Sequence, residues 1–307
     1  VSDKSIRVWY RRLLFATVLV AVGWLVLHHA DEIARYDFHI RWLPMGLGFL
    51  AMCAAYVVML LVWLRLSRTL GLEVPAAVAA RAWLVSQLGK YVPGKVVLLL
   101  VRLNAYRGHS RRKVSVATLL EYIVSLAAAC VLILLAVALA SQGLPAYVRW
   151  AAVVGGVGAF LLLWPPLLER WVNRILRLLG REVLTQFPAY GALLCYVGAY
   201  VLVGLLYGLS LYFVLAALAP VQTANLLILA GIYEAAGVIG IAAVFAPAGM
   251  GVREGVLMLV LPLLVARPAA IVGVLIMRII HTLAELCLAG MAVCWSKARL
   301  RGAVNAR

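Results

Sequence analysis

Charge is scarce in this chain. Only 13% of its 307 residues are Asp, Glu, Lys or Arg, against 66% apolar residues and a mean hydropathy of +1.05. That balance excludes a water-soluble globular domain, which has no core large enough to hide so much apolar surface. Acid is scarcer still: 11 Asp and Glu stand against 28 Lys and Arg, and the aspartates, Asp3, Asp31 and Asp37, all lie near the N-terminus. The body of the chain therefore has no DxD metal site and no carboxylate-based nucleotide-sugar centre, and no HExxH, P-loop or GxSxG pattern occurs. Cys53, Cys130, Cys195, Cys287 and Cys294 sit in apolar segments without a CxxC spacing. They read as small lipid-buried hydrophobes, which excludes a disulfide framework and a thiolate metal site. No cofactor and no metal is expected.

What the chain has instead is long apolar runs. Six are long enough to cross a bilayer: 13–27, 43–64, 114–140, 150–164, 189–218 and 269–295. The first follows Lys4, Arg7, Arg11 and Arg12 as a secretory signal would, but no small-residue cleavage site comes after it, so a retained anchor helix is expected. The net charge of +17 would suggest nucleic acid in a soluble protein. Here the basic residues lie mainly between apolar runs, where positive-inside bias and anionic headgroups account for them, and no nucleic acid partner is expected.

The same charges set the topology. The loop with Asp31, Glu32 and Asp37 faces outward, whereas 65–113 is rich in Lys and Arg, holds a single acid, Glu73, and faces the cytoplasm. The connection carrying Arg170, Arg174, Arg177 and Arg181 and the tail with Lys297, Arg299, Arg301 and Arg307 are cytoplasmic again, so both termini lie inside. Segment 167–187 mixes apolar residues with arginines at helical spacing and is read as an amphipathic connector along the inner surface.

Two stretches break the spanning pattern. Runs 76–88 and 96–101 are too short to cross singly and flank the polar turn QLGKYVPGK, 87–95; runs 225–245 and 252–264 flank APAGMGVREG, 246–255. Each pair is read as a re-entrant helical hairpin. The first arm of the second pair is long enough to span, and the charge rule assigns it to the hairpin. The fold expected is thus an all-α polytopic membrane protein with six spanning helices and two re-entrant hairpins in an inverted-repeat arrangement. It forms a single transmembrane domain, 1–307: anchor helix and outer loop 1–42, first repeat 43–140 with hairpin 76–104, connector 141–188, second repeat 189–295 with hairpin 225–265, and basic tail 296–307. Interrupted apolar segments at matching positions of two halves point to a binding site near the midplane.

The residues at the two tips define its chemistry. In the first, Pro93 and Gly94 reverse the chain and free backbone amides, while Lys90 and Lys95 bracket the turn beside Tyr91. Amides and lysines together suit a phosphate; nonspecific contact with lipid headgroups is the plainer alternative. In the second, Pro247, Gly249 and Gly251 break the helix, and Arg253 and Glu254 follow inside an apolar run, either as a structural ion pair or as an arginine that meets an anionic headgroup while Glu254 orients it. Three further sites add ionisable groups at membrane depth: Glu121, Glu234 beside Tyr233, and Arg278, His281 and Glu285, which share one helical face. These balance charge between helices, and His281 with Glu285 also suits a proton relay.

GKYVPGK at 89–95 and PAGMGVREG at 247–255, with Glu121 early in its helix, resemble the flippase-like integral membrane family related to the transmembrane region of lysylphosphatidylglycerol synthases. The resemblance covers roughly 13–295. It implies movement of an anionic phospholipid, an aminoacylated lipid or a polyprenyl-linked intermediate between leaflets of a bacterial inner membrane, and some relatives accompany hopanoid or surface-polysaccharide pathways. The matching positions are Lys90, Tyr91, Pro93, Gly94 and Lys95 in the first motif and Pro247, Gly249, Gly251, Arg253 and Glu254 in the second. Ala248 stands where the family often has glycine, and the soluble aminoacyl-transferase domain of the full synthases is not in this sequence, so lipid aminoacylation by this chain alone is not expected. The expected partner is a membrane lipid with an anionic headgroup, and the chain is not expected to be an enzyme. A second copy and lipid-biosynthetic enzymes are further partners left open. Two other classes also stay open: a membrane-embedded transferase using Glu254 or His281 as general base, and a scaffold for lipid or surface-glycan synthesis.

Overall fold

A computed structural model describes residues 3–91, 96–140, 145–178, 183, 187–243 and 246–305. The described residues form helices and no strand: α1 (Asp3–His28), α2 (Ala30–Arg35), α3 (Trp42–Thr69), α4 (Ala76–Leu88), α5 (Val96–Ala105), α6 (Arg111–Leu139), α7 (Ala146–Leu163), α8 (Pro165–Leu178), α9 (Tyr190–Ala216), α10 (Leu226–Ala242), α11 (Val252–Val260) and α12 (Arg267–Asn305). Short 3-10 turns at Gly89–Tyr91 and Pro247–Gly249 end the interrupted segments.

Five helical segments are long and apolar enough to cross a membrane: Trp42–Thr69, Arg111–Leu139, Tyr190–Ala216, Thr223–Ala242 and Arg267–Lys297. The protein is an α-helical, multi-pass membrane protein. Four of the five coincide with expected spans. The fifth is the arm that the charge pattern assigned to a hairpin; its 20 residues rise about 30 Å, the thickness of the hydrocarbon layer. Length reports what a helix can cross, while flanking charge reports where its ends sit, so the two criteria diverge where the flanks carry almost no charge. The apolar stretch of α1, Leu13–His28, is shorter than these spans, and α7 has 18 residues. At 13 and 10 residues, α4 and α5 each fall short of a crossing.

Taken as two successive units, α3–α6 and α9–α12, the helices pack extensively across the division and with corresponding partners. The leading helices α3 and α9 pack along each other. Helix α10 of the second unit packs on α6 of the first, and α4 of the first on α12 of the second; α4 pairs with α5 as α10 does with α11. Both 3-10 turns come into contact at the centre, and α1 lies against α11. The apolar face of α8 (Leu168, Val172, Leu176) is buried against the protein's own core, so this connector is docked on the bundle and its membrane-facing residues are limited to others such as Trp171 and Leu178.

Lipid offers no hydrophobic drive between helices, so close approach through small residues supplies the contact energy. Ser210 on α9 donates to the Gly48 carbonyl on α3 at 2.7 Å. A Cβ at Gly208 would lie 2.5 Å from the Ala230 Cβ, and one at Gly231 would lie 2.2 Å from the Ala136 Cβ and 2.8 Å from the Leu132 carbonyl. Since the obstructing atoms are backbone and Cβ, the α6–α10 crossing has no flexible side chain to yield. Gly231→Leu is therefore expected to lower stability by about 1–3 kcal/mol or more, read as an earlier thermal unfolding midpoint in detergent. Gly237→Ala on the same helix, where a Cβ meets nothing within 4 Å, should change it by less than about 0.5 kcal/mol.

Candidate functional site

The second tip is built by left-handed backbone. Ala248, Gly249 and Gly251 take φ of 53°, 68° and 81°, which turns the chain between α10 and α11 within a few residues. Gly249 sits where a Cβ would lie 2.9 Å from the Gly240 Cα, so the turn folds flat onto α10. At the start of α11 the Glu254 carboxylate reaches back to accept the Gly251 N–H at 2.7 Å, satisfying a donor that the helix itself leaves open. That fixes the neighbouring Arg253 on the side facing α10, where its guanidinium lies 3.9 Å above the Tyr233 ring.

Opposite stands α12, which carries Arg278, His281, Thr282 and Glu285 along one face. Glu285 is buried and accepts from the first tip: Lys90 forms an ion pair with it, and Tyr91 donates to its second oxygen at 2.8 Å. Tyr91 also meets Thr282 at 3.3 Å. From α3, Tyr56 donates to Glu285 and lies 2.8 Å from His281 Nε2; Tyr233 on α10 meets His281 Nδ1 at 3.1 Å. With the Tyr56 proton committed to Glu285, the consistent arrangement has His281 Nε2–H donating to Tyr56 and Nδ1 accepting from Tyr233. Four separate elements thus close on one buried imidazole and carboxylate.

Beside the second tip, α10, α11 and α12 line a cleft with Tyr233, Arg253, Glu254, Leu257, Met277, Arg278 and His281. Its volume, about 10 Å³, is room for a single water. Arg278 pairs through Nη1 with Glu254 at 3.1 Å, leaving its buried Nη2 without a hydrogen-bond partner. Arg253 makes no ion pair among the described residues; its charge is answered by the Tyr233 ring. The cleft therefore presents guanidinium donors with unspent capacity, which suits an oxygen-rich anion.

Glu121 lies in a different cluster. It pairs with Arg102 on α5 at 2.5 Å and accepts from Trp83 at 2.7 Å and Tyr200 at 3.1 Å. Arg102 also donates to Ser86 at 3.0 Å and Thr118 at 3.2 Å, and its guanidinium lies 4.1 Å from the Trp63 ring centre. With Arg102 1% and Glu121 5% exposed and both carboxylate oxygens of Glu121 engaged, the pair locks α5 to α6. Tyr56 and Trp83, 6.3 Å apart between ring centres, form the wall between the clusters.

Of the candidate residues, Lys90, Tyr91, Pro247, Gly249, Gly251, Arg253, Glu254, Arg278, His281 and Glu285 converge on the two tips and the face of α12 opposite them. Pro93, Gly94 and Lys95 lie outside the described residues. Glu234 is half-buried beside Gly204, with its Oε1 2.8 Å from where a Gly204 Cβ would stand. Tyr56, Tyr207 and Arg102 were not singled out by the sequence, where aromatics read as interface belts. The signal was position: Tyr56 falls in the middle of its apolar run and Arg102 stands alone in another. Among the described residues no group of three or more His, Cys, Asp or Glu forms a metal ligand set. A larger cavity of about 610 Å³ lies near Tyr36, His39, Arg41 and Tyr212, but its Asp37 and His39 are exposed and Arg41 is committed to the Ala216 carbonyl.

No protein-family model matches this sequence, and no curated protein matches it. The chemistry of the site is thus the ground on which function has to be read.

Two outcomes follow from the geometry. Removing one partner of the locked pair, as in Arg102→Met, strands a buried carboxylate and should cost about 3–5 kcal/mol, measured by thermal unfolding in detergent. At the second tip, Ala248→Gly relieves a left-handed conformation that costs an L-residue about 1–2 kcal/mol and should raise the unfolding midpoint.

Proposed function

We propose that this protein moves an anionic lipid between the leaflets of a bacterial inner membrane, with the headgroup passing through the cleft beside the second tip while the acyl or prenyl tails stay in lipid. In this reading α4–α5 and α10–α11 are re-entrant hairpins, entering from opposite sides of the membrane, and the two units are inverted repeats. The exchange of equivalent packing partners and the contact between the 3-10 turns support that arrangement. So does the broken backbone, which is tolerable at membrane depth only where protein or a hydrated cavity satisfies it.

The observation that carries the proposal is the pair of guanidinium groups, Arg253 and Arg278, facing one cleft with donors unspent. A phosphate is the chemistry that planar, forked donors recognise best. A phospholipid, an aminoacylated lipid and a polyprenyl phosphate all present one. The cleft is sized for one water, so α10, α11 and α12 have to part for a headgroup to enter, while Lys90 and Tyr91 hold the first tip on Glu285 nearby. The likeness of the two motifs to the flippase-like family related to lysylphosphatidylglycerol synthases agrees with this reading. A lipid-headgroup transferase has less support: Glu254 is committed to Arg278 and the Gly251 amide, and both ring nitrogens of His281 are engaged, so neither is free as a general base.

The test is reconstitution of the full chain in phosphatidylcholine vesicles with a trace of fluorescently labelled phosphatidylglycerol, following the label's exposure to an external quencher. The wild type should accelerate cross-leaflet movement. Arg253→Ala should slow it by on the order of tenfold or more, the worth of one charge-assisted hydrogen bond, at an unchanged unfolding midpoint. Absence of acceleration by the wild type would overturn the proposal, and a covalently altered lipid would favour the transferase.

A further inference from the structure

Resting on that reading, we propose that Glu234 takes up the proton that accompanies binding of an anionic headgroup in the cleft. Elimination among the acids at membrane depth leads to it. Glu121 is paired with Arg102, Glu254 with Arg278 and Glu285 with Lys90. Glu234 alone of these forms no ion pair and no hydrogen bond among the described residues, although it is half-buried in the bundle.

Its surroundings are built for a carboxyl that changes state without being locked. Gly204 on α9 makes the room: a Cβ there would lie 2.8 Å from Glu234 Oε1 and 2.3 Å from Leu132 of α6. The titratable and charged groups that face it are Tyr207 from α9, Tyr233 from its own helix and Arg253 from α11; α6 brings the apolar Leu132. Arg253 is therefore the single cation whose field reaches the carboxylate, and it is also a group proposed to hold the headgroup. The guanidinium that lies over the Tyr233 ring thus also bears electrostatically on the Glu234 carboxylate. Once a phosphate engages that guanidinium, the carboxylate is left as an uncompensated charge at membrane depth, which is costly. A proton from water, bound to a Glu234 oxygen, converts it to the neutral acid. One monoanionic headgroup and one proton then enter together with no net change of charge. Binding of each favours the other by the same factor.

The test uses the detergent-solubilised full chain titrated calorimetrically with dihexanoyl phosphatidylglycerol at pH 7, in two buffers of different ionisation enthalpy, so that the difference counts protons taken up. For the wild type the expected result is uptake of about one proton per lipid bound and affinity falling on the order of a hundredfold from pH 6 to pH 8. Glu234→Gln should bind with no uptake and no such pH dependence, and Glu234→Asp should restore both, which shows that a carboxyl is needed and that the packing around it tolerates change. Arg253→Gln should lose binding. Proton uptake that survives Glu234→Gln, or binding by the wild type with no uptake, overturns this inference and leaves the anion site standing. Absence of binding by the folded wild type overturns the anion site and this inference with it.

Discussion

An ionised side chain at membrane depth has to be answered by the protein, because lipid offers it neither hydrogen bonds nor counter-charge. That requirement organises this molecule. Arg102 and Glu121 tie an arm of the first unit to its following span; Glu254 and Arg278 do the same in the second. Lys90 reaches across from the first unit to Glu285 in the second, and this contact brings the first tip onto α12. At the break Pro247–Gly249 the freed groups are met locally: the Gly249 and Met250 N–H groups by the carbonyls of Ala246 and Pro247, and the Gly251 N–H by the Glu254 carboxylate.

The apolar packing is arranged to let these partners meet. Helices that carry charge inward cannot also press together through bulky side chains, and the crossings between α9 and α10 and between α10 and α6 are made by Gly208 and Gly231 against Ala230 and Ala136. Close backbone approach narrows the distance across which polar side chains act. Tyr56, Tyr207 and Tyr233 fill the space that remains, their rings packed in the core and their hydroxyls turned to His281, Glu285 and, for Tyr207, the sulfur of Met59. A tyrosine is suited to that position because it supplies bulk to the bundle and a single donor to the site.

Much of this was legible in the chain. Apolar runs located four of the five long apolar helices, and Gly/Pro breaks the ends of the short ones, within a few residues, because length and helix-breaking are local properties. The gathering of Lys90, Arg253, Glu254, Arg278, His281 and Glu285 was legible as a set, since each is an ionisable group where lipid forbids an unpartnered one. Pairing was not. Glu121 was grouped with the tips, yet its partner is Arg102, 19 positions earlier in the chain, because which acid meets which base depends on how helices cross rather than on spacing within one helix. Glu285 was read as the companion of His281 on one helical face, and the structure adds three partners from two other elements. Segment 223–242 marks another limit: its hydropathy permits a crossing, and its nearly uncharged flanks carry too little positive-inside signal to place its ends.

The two units share a packing plan but not a chemistry, and the proposed anion site rests on that difference. In the first, the arm α5 carries the base and the span α6 the acid; in the second, the arm α11 carries the acid and the span α12 the base. Continuing along each span from its charged residue, positions three and seven further on are His281 and Glu285 in α12 but Val124 and Ala128 in α6. The first unit therefore sets its ion pair among apolar neighbours along α6, with Trp83, Tyr200, Ser86 and Thr118 as its hydrogen-bond partners. In the second, the polar stripe runs on, the pair sits beside an arginine held only by an aromatic ring, and one guanidinium nitrogen is left unmet. On the proposed reading, the donors left open in the second unit are the ones that meet the headgroup, and the first unit supplies Tyr56, Lys90 and Tyr91 as the partners that hold Glu285 beside them.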